Sequence, residues 1–375
     1  MSYIIILIAA CYFLVIIAFI IGFDAVKITK NEAIAPKHSF SIVIPFRNEA
    51  ANLGQLLNSI SLLKYPSHLF EVILVNDESD DDYSLIIENF KHQFSSLNII
   101  LLNTIRTSNS PKKDAINLAI KKSKYDWVVT TDADCCAPNN WLTLFNQTII
   151  NKEPVFISGP VKFHTKKQFL FHFQNLNFLS LIGSTIGSFG IQKPIMCNGA
   201  NLCYKKTAFL KVNGFEGNTE IASGDDLFLL QKMTAKFPSK ISYIKSNEAI
   251  VSTNSESSWK LFLNQQIRWA AKSTAYKSIF SKIVGLVVFA LNFMLVLLIL
   301  SALFYSFYWN YLLIIYSVKL LIDFILIYKT ATFLKNKNSL SYYSITSFIY
   351  PFFIVFTGIL SLFKNYEWKG RSFNK

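Results

Sequence analysis

The chain has 375 residues, of which 52% are hydrophobic and only 16% are charged. Soluble domains carry about 25% charged residues, so part of this chain is expected to meet lipid. The net charge of +14 suits anionic headgroups or phosphorylated substrates, and without a dense basic block or zinc spacing we expect no nucleic-acid partner. The five cysteines form no Cys-x-x-Cys pair and the five histidines are scattered, which argues against a disulfide framework or a zinc site.

The amino-terminal region predicts a transmembrane helix within residues 1–24. Residues 3–23 are apolar and uncharged, and about 20 such residues span the hydrocarbon core. A cleaved signal peptide is disfavoured because no basic residue precedes the run and no small-residue cleavage site follows it. Residues 25–38 then read as a polar linker.

Residues 39–255 are predicted to form an α/β domain. Short β-branched runs predict strands at 40–45, 70–75, 98–102 and 127–131, and apolar spacing predicts helices at 52–63, 83–94 and 112–123. Alternating strands and helices imply a largely parallel sheet. Ligands bind such sheets beyond the carboxyl ends of the strands.

Two further segments mix aromatic, apolar and polar residues. Residues 163–189 are consistent with a helix lying at the membrane surface and equally with a buried core helix. Residues 259–280 predict one more helix, so we assign 256–282 to an interfacial helix.

Three apolar stretches, at 283–307, 310–328 and 341–363, predict transmembrane helices within residues 283–364, followed by a basic tail at 365–375. Lys319 and Asp323 interrupt the second stretch on one helical face and are expected to pair. Pro351 is expected to kink the third. The basic loop 329–337 should be cytosolic, which places the α/β domain on the same side. The basic tail then falls on the opposite side, unless the last stretch does not fully cross.

Acidic residues follow two of the predicted strands. Asp77 stands at a strand end, where a carboxylate accepts the imide hydrogen of a uracil ring; a solvated acidic turn is the alternative. Asp132 and Asp134 follow another strand at i and i+2, so their carboxylates can converge on one hard cation, Mn²⁺ or Mg²⁺. Such a cation neutralises a departing diphosphate.

Other polar residues stand at predicted helix starts. Lys112 and Lys113 open a helix and could approach a diphosphate, or form a solvated first turn. Asp225 and Asp226 follow a glycine, and Asp226 is a candidate general base; the alternative is a pair of acids that stabilise the helix dipole.

The segment 265–269 places amides, a guanidinium and an indole on about one helical turn. Arg268 offers planar donors to a diphosphate, and Trp269 offers a wall for a sugar. The alternative is a surface helix whose Arg and Trp anchor at the lipid interface.

The ordered motifs resemble those of membrane-embedded family 2 glycosyltransferases, which include hyaluronan, chitin, cellulose and poly-N-acetylglucosamine synthases and ceramide glucosyltransferases. The resemblance covers roughly residues 39–282. It is carried by residues 45–49 (Pro-Phe-Arg-Asn-Glu), 76–79 (Asn-Asp-Glu-Ser), 131–134 (Thr-Asp-Ala-Asp), 224–226 (Gly-Asp-Asp) and 265–269 (Gln-Gln-Ile-Arg-Trp).

The resemblance implies a GT-A fold, a Rossmann-like mixed sheet, with one amino-terminal and about three carboxyl-terminal transmembrane helices. It also implies a nucleotide-sugar donor, a divalent cation and inversion at the anomeric carbon. By position, Asp226 would be the catalytic base and Asp134 the metal ligand. The implied nucleotide-binding residues are Pro45, Glu49, Asp77, Lys113 and Asp132. The implied diphosphate- and acceptor-binding residues are Asp225, Gln265, Gln266, Arg268 and Trp269. Residues 198–201 match the family's acceptor-side loop loosely.

Together these observations predict an integral membrane enzyme of the plasma membrane whose catalytic domain faces the cytoplasm. It would move a sugar, from a UDP-sugar, to the hydroxyl of a lipid or lipid-linked acceptor. The small membrane part favours transfer of one sugar. The alternatives are a processive polysaccharide synthase and a membrane-anchored binding protein.

Overall fold

The computed structural model describes residues 2–373, so the last two residues of the predicted basic tail lie outside the described residues. The chain forms two compact units. The helical unit comprises Met1–Val26, Thr165–Ile195 and Ser255–Lys375, and the sheet unit comprises Lys27–His164 and Met196–Asn254. The helical unit therefore includes residues 165–195, which lie inside the range 39–255 that the sequence suggested for the α/β domain.

Within the described residues, the α-helices in chain order are α1 (Ser2–Ala25), α2 (Ala50–Ser61), α3 (Tyr83–Gln93), α4 (Pro111–Lys122), α5 (Trp141–Lys152), α6 (Phe169–Gly190), α7 (Lys206–Lys211), α8 (Asp225–Lys236), α9 (Trp259–Ala271), α10 (Ile279–Ala302), α11 (Phe307–Phe333) and α12 (Tyr343–Phe363). The strands are β1 (Phe40–Phe46), β2 (Phe70–Asn76), β3 (Ile99–Asn103), β4 (Trp127–Thr130), β5 (Phe156–Ser158), β6 (Val161–Phe163), β7 (Leu202–Lys205), β8 (Ile241–Tyr243), β9 (Val251–Thr253), β10 (Tyr366–Trp368) and β11 (Arg371–Phe373).

The sheet unit is built on a seven-stranded sheet in the order β3-β2-β1-β4-β7-β5-β8. Strands β1 to β4 run parallel to one another, and β7 runs antiparallel to both β4 and β5. The prediction of a largely parallel, mixed sheet is confirmed, and each of the seven predicted strands and helices is found to within two residues. The carboxyl ends of β1, β2 and β4 meet at one edge of the sheet.

Apolar patterning explains these elements. Every residue of β1 and β2 is buried, as expected for parallel strands covered on both faces. Helix α2 buries Leu53, Leu56, Leu57 and Ile60, an i, i+3, i+4, i+7 stripe that faces the core.

In the helical unit, four helices in the described residues are long and apolar enough to cross a membrane: Tyr3–Ala25, Ile279–Ala302, Phe307–Phe333 and Leu340–Phe363. One amino-terminal and three carboxyl-terminal spans were predicted, and this prediction is confirmed. The predicted pair of Lys319 and Asp323 is also present, with 2.5 Å between Nζ and Oδ2. Tyr12 Oη donates to Asp323 Oδ1 at 2.8 Å, so α1 is tied to α11 by a buried polar contact. Pro351 lies inside α12.

The structure corrects the prediction of one helix at 259–280. Helix α9 ends at Ala271, a 3₁₀ turn covers Lys272–Ala275, and α10 begins at Ile279. The side chain of Ser278 caps α10 by accepting from Ser281 N. A hydroxyl at this position stabilises a new helix start, which separates the two helices.

Helix α6 decides between the two interpretations of the aromatic-rich segment: it is a buried helix of the helical unit, packed against α1 and α11. Its contact with α1 depends on glycine. A Cβ on Gly187 would lie 2.3 Å from the backbone oxygen of Phe19, so the two backbones approach more closely than any side chain permits.

We expect Gly187→Ala to separate α1 from α6, because the clash is with backbone and cannot be relieved by a rotamer change. The free energy of unfolding should fall by about 1–3 kcal/mol, measured by thermal unfolding in detergent. Gly285→Ala on α10 is the matched control, since a Cβ there meets nothing within 4 Å. Equal effects of the two substitutions would contradict the close-approach argument.

Candidate active site

A lysine at the start of α4 joins the acids of two elements in the sheet unit. Lys112 Nζ lies 2.7 Å from Asp132 Oδ1, just after β4, and 3.3 Å from Asp225 Oδ2, the first residue of α8. Burial alone lowers the pKa of the Lys112 ammonium, but the Asp132 and Asp225 carboxylates outweigh it and hold this pKa above its ordinary value. The ammonium therefore stays charged and holds together acids from positions more than 90 residues apart.

The sequence suggested a nucleotide contact for the neighbouring Lys113. In the structure, its ammonium binds backbone carbonyls of the protein itself. It is fully buried, and its Nζ donates to the carbonyls of Asn218, Ile221 and Ser223 at 2.6, 2.6 and 3.3 Å. These carbonyls belong to the loop that leads into α8. Consecutive helical positions differ by about 100°, so Lys112 faces the acids while Lys113 supports the loop that carries Asp225.

Asp226 is positioned by two backbone groups. Its Oδ2 accepts from Gly199 N at 3.1 Å and its Oδ1 from Leu227 N at 2.7 Å. Gly199 O in turn accepts from Thr130 Oγ1 at 3.0 Å, so the segment before β7 is fixed to the end of β4. A Cβ on Gly199 would lie 3.3 Å from Asp225 Oδ2, which leaves little room for a side chain beside the acids.

The loop after β4 groups three metal-ligating side chains. One oxygen each of Asp132 and Asp134 and the sulfur of Cys135 lie within 4.8 Å of one another. Asp134 Oδ2 also accepts from Thr253 Oγ1 at 3.2 Å. Burial, and then the Asp134 and Asp132 carboxylates, raise the pKa of the Cys135 thiol well above its usual range. The two carboxylate oxygens are hard donors, which fit Mn²⁺ or Mg²⁺.

The ends of β1 and β2 form a second group at the same sheet edge. Asp77 is buried at the end of β2, and its Oδ1 lies 3.6 Å from Arg106 Nη2. Asn48 and Glu78, in the two adjoining loops, have φ values of 51° and 53°. Non-glycine residues in this region are strained and occur often at binding sites.

The other predicted residues of this group lie close by in the chain. Pro45 is buried within β1 opposite Val75 of β2. Glu49 is buried, and its Oε2 accepts from Asn52 Nδ2 at 2.6 Å at the start of α2. The strand-end residues Pro45, Glu49 and Asp77 thus share one edge of the sheet.

The predicted residues Gln265, Gln266, Arg268 and Trp269 belong to α9 of the helical unit. Gln265, Arg268 and Trp269 are spaced i, i+3, i+4 and share one half-buried face. Gln266 is turned inward, is 8% exposed, and its Oε1 accepts from Asn177 Nδ2 at 3.1 Å. Gln266 therefore packs within the unit, whereas Gln265, Arg268 and Trp269 are half-buried.

The site residues assigned from sequence do not include Lys112, Gly199 or Arg106 at this edge. Lys112 was considered with Lys113, but the choice between them requires the position of the helix relative to the acids. Gly199 lies in a segment with only a loose motif match, and Arg106 follows β3 without any motif. The sole signal for Arg106 was its position after a predicted parallel strand.

We expect Lys113→Met to destabilise the sheet unit, because three carbonyls would lose their charged donor. The free energy of unfolding should fall by about 2–4 kcal/mol, seen as a lower melting temperature of the full chain in detergent. Lys121→Met, on an exposed position of the same helix, is the control and should change the free energy of unfolding by less than about 0.5 kcal/mol. An unchanged melting temperature for Lys113→Met would show that the loop does not depend on this ammonium.

Comparison with known proteins places this geometry in a family. The profile described as "Glycosyl transferase family 2" matches residues 41–211, and "Glycosyl transferase family group 2" matches residues 127–333. A poly-beta-1,6-N-acetyl-D-glucosamine synthase of Staphylococcus epidermidis is 26% identical over 240 residues, which cover 61% of this chain and 53% of that protein. Glycosyltransferase AglE of Haloferax volcanii is 28% identical over 123 residues, which cover 33% and 39% of the two chains.

The chain spans about half the length of the Staphylococcus synthase that it matches. Among solved structures, mannosyltransferase PcManGT of Pyrobaculum calidifontis, in complex with GDP-Man and Mn²⁺, aligns with a TM-score of 0.60 at 16% identity. The alignment covers 96% of this chain and 98% of that one, a likeness of fold. With its acids at the carboxyl edge of a mixed sheet and a family profile over more than half of its length, the chain belongs to the family 2 glycosyltransferases and has the GT-A fold.

Proposed function

We propose that this enzyme transfers one sugar, with inversion, from a nucleotide diphosphate donor to the hydroxyl of a lipid or lipid-linked acceptor at the membrane. The observation that carries the proposal is the cluster around Lys112: Asp132, Asp225 and Asp226 come from distant parts of the sequence and meet at the edge of the sheet where such folds bind ligands. The four apolar helices supply the reason for a lipid acceptor.

Asp226 is the proposed general base. Both of its oxygens accept backbone N–H groups, which fix the carboxylate while lone pairs remain for an acceptor hydroxyl. Asp226 takes the hydroxyl proton as the hydroxyl oxygen bonds to the anomeric carbon. The bond from that carbon to the diphosphate breaks, and the nucleotide diphosphate leaves with its electron pair. A single displacement of this kind inverts the anomeric configuration.

Asp132 and Asp134 are the proposed ligands of a divalent cation, Mn²⁺ or Mg²⁺. When bound, it neutralises charge on the diphosphate. The donor set supports this assignment, because the two carboxylates offer oxygens that lie within 4.8 Å of one another. Lys112 supplies a second positive charge next to Asp132, and Asp225 holds this ammonium in place.

The end of β2 is the proposed site of the nucleotide base. Asp77 accepts the imide hydrogen of a uracil ring, which favours a UDP-sugar donor, and Pro45 and Glu49 shape the neighbouring wall. On α9, the face shared by Gln265, Arg268 and Trp269 is assigned to the diphosphate and the sugar-acceptor region.

The proposed location is the plasma membrane, with the sheet unit in the cytoplasm. Lys335 and Lys337 stand between α11 and α12, and short loops rich in lysine and arginine stay on the cytoplasmic side. The free thiols Cys135 and Cys203 of the sheet unit suit a reducing compartment.

A processive polysaccharide synthase is the second candidate, favoured by the similarity to the Staphylococcus poly-N-acetylglucosamine synthase. It shares the donor chemistry and differs in product length. Incubating the purified enzyme with UDP- and GDP-sugars, Mn²⁺ and a membrane lipid extract separates the two. One added sugar per lipid supports our proposal, a polymer ladder supports the synthase, and no transfer from any donor would contradict both.

Asp226→Asn should lower the transfer rate by about 10²- to 10⁴-fold, because the amide cannot take the proton. Nucleotide binding, followed by titration calorimetry, should stay within about twofold, since Asn keeps the size of Asp and can still accept one of the two backbone N–H groups. Asp82→Asn, on an exposed residue before α3, is the control. Transfer at the wild-type rate by Asp226→Asn would rule out this base.

Asp134→Ala should abolish the dependence of nucleotide binding on Mn²⁺, because one of the two oxygen ligands is lost. We expect Mn²⁺ to tighten nucleotide binding to the wild type and to Asp82→Ala, but not to Asp134→Ala. Binding is measured with and without Mn²⁺ after treatment with a chelator. A variant that still responds to Mn²⁺ like the wild type would remove Asp134 from the cation site.

A further inference from the structure

We propose that Asn177 and Gln174, two buried residues of α6, are positioning residues that set the orientation of the α9 face carrying Gln265, Arg268 and Trp269. This proposal rests on the proposed function in assigning that face to the diphosphate and acceptor. It adds that glycosyl transfer depends on buried polar residues of α6 inside the helical unit, which touch no substrate themselves.

The buried amides of α6, which we call the polar row, are unusual for their apolar surroundings. Helix α6 is largely apolar and buried, yet Gln174, Asn175 and Asn177 are 1%, 1% and 4% exposed. A buried amide stabilises a fold only when its groups are hydrogen-bonded. The partners of these amides therefore reveal what the row does.

Gln174 holds the chain where it enters α9. Its Nε2 donates to Glu256 O and its Oε1 accepts from Glu256 N, both at 3.0 Å. Two bonds to one backbone unit fix both the position and the direction of that peptide. The Glu256 side chain continues the contact, since its Oε1 accepts from Gln265 Nε2 at 2.9 Å.

Asn177 holds α9 one turn further along. Its Nδ2 donates to Gln266 Oε1 at 3.1 Å, and its Oδ1 accepts from Tyr350 Oη of α12 at 3.3 Å. The Asn177 amide is thus fixed from both sides. Next to this bond, the Phe262 ring on the same inward face of α9 stacks on Phe353 of α12, with centroids 5.2 Å apart and planes 2° apart.

These contacts determine the rotation of α9 about its own axis. Gln266 and Phe262 are four residues apart and face inward, and the other positions of the helix follow from these two by fixed helical geometry. The directions of Gln265, Arg268 and Trp269, on the adjoining half-buried face, are therefore set by the same contacts. If the Asn177–Gln266 bond is lost, rotation of the helix by tens of degrees would displace the guanidinium and indole by several ångströms. Misplacement of about 1 Å is enough to slow a reaction about 100-fold.

Asn175 offers a matched control on the same helix. It is the same residue type and equally buried, but its Nδ2 donates to Ser339 Oγ at 2.8 Å and its Oδ1 accepts from Asn336 Nδ2 at 3.1 Å. These partners lie between α11 and α12. Asn175→Leu and Asn177→Leu therefore make similar changes in volume and polarity, and only the second acts on α9.

The test measures transfer kinetics of the full chain in lipid nanodiscs. Asn177→Leu should lower kcat about tenfold or more, the factor that corresponds to about 1.4 kcal/mol, and leave the donor KM within about twofold. Asn175→Leu should lower the melting temperature to a similar extent and leave both kinetic constants near wild type. Tyr350→Phe, which removes one hydroxyl, should lower kcat about threefold. It replaces Asn177→Leu as the test if Asn177→Leu does not fold.

A double-mutant cycle separates positioning from general damage. Gln266→Leu should lower kcat as Asn177→Leu does, and adding Asn177→Leu to Gln266→Leu should cost no further activity. Equal kinetic losses in Asn175→Leu and Asn177→Leu, or additive losses in the cycle, would overturn the inference. Wild-type kcat in Asn177→Leu and Tyr350→Phe with an impaired Arg268→Ala would overturn it while sparing the proposed function. If Arg268→Ala and Asp226→Asn both transfer sugar normally, the proposed function itself fails.

Discussion

The repulsion between carboxylates at one edge of the sheet is the constraint on which this candidate site depends. Asp132, Asp225 and Asp226 approach one another because their elements end there, and like charges at such distances oppose folding unless a cation lies among them. Lys112 supplies that charge from the first turn of α4. The adjacent Lys113 binds the loop before α8. The first turn of α4 therefore places a positive charge among the acids and also fixes the loop that carries Asp225.

The sheet could be predicted because its strands and helices differ in period. Buried β-branched runs such as β1 and the i, i+3, i+4, i+7 stripe of α2 leave little ambiguity. The strand-end acids followed directly, since the ends of parallel strands share one edge. The choice between Lys112 and Lys113 did not follow, because it depends on a rotation of about 100° relative to elements that the sequence does not locate.

Two features of the helical unit were harder to predict from the sequence. The break after Ala271 contains neither proline nor glycine, and it is marked only by Ser278 as a helix cap. The sequence left α6 open between a helix at the membrane surface and a buried core helix, because a lone sequence does not show that each buried amide has a partner. The pattern of apolar residues in a sequence does not show which distant segments are joined by hydrogen bonds.

Strand β7 has a consequence for how the enzyme can diverge. It runs against β4, so it begins where β4 ends, and Gly199 arrives beside Thr130 from a position 69 residues away. The chain segment ahead of β7 thus reaches the edge of the sheet that carries Asp132 and Asp226 without belonging to the parallel strands. Insertions or exchanges in that segment would reshape this edge while the register of the parallel strands stays intact.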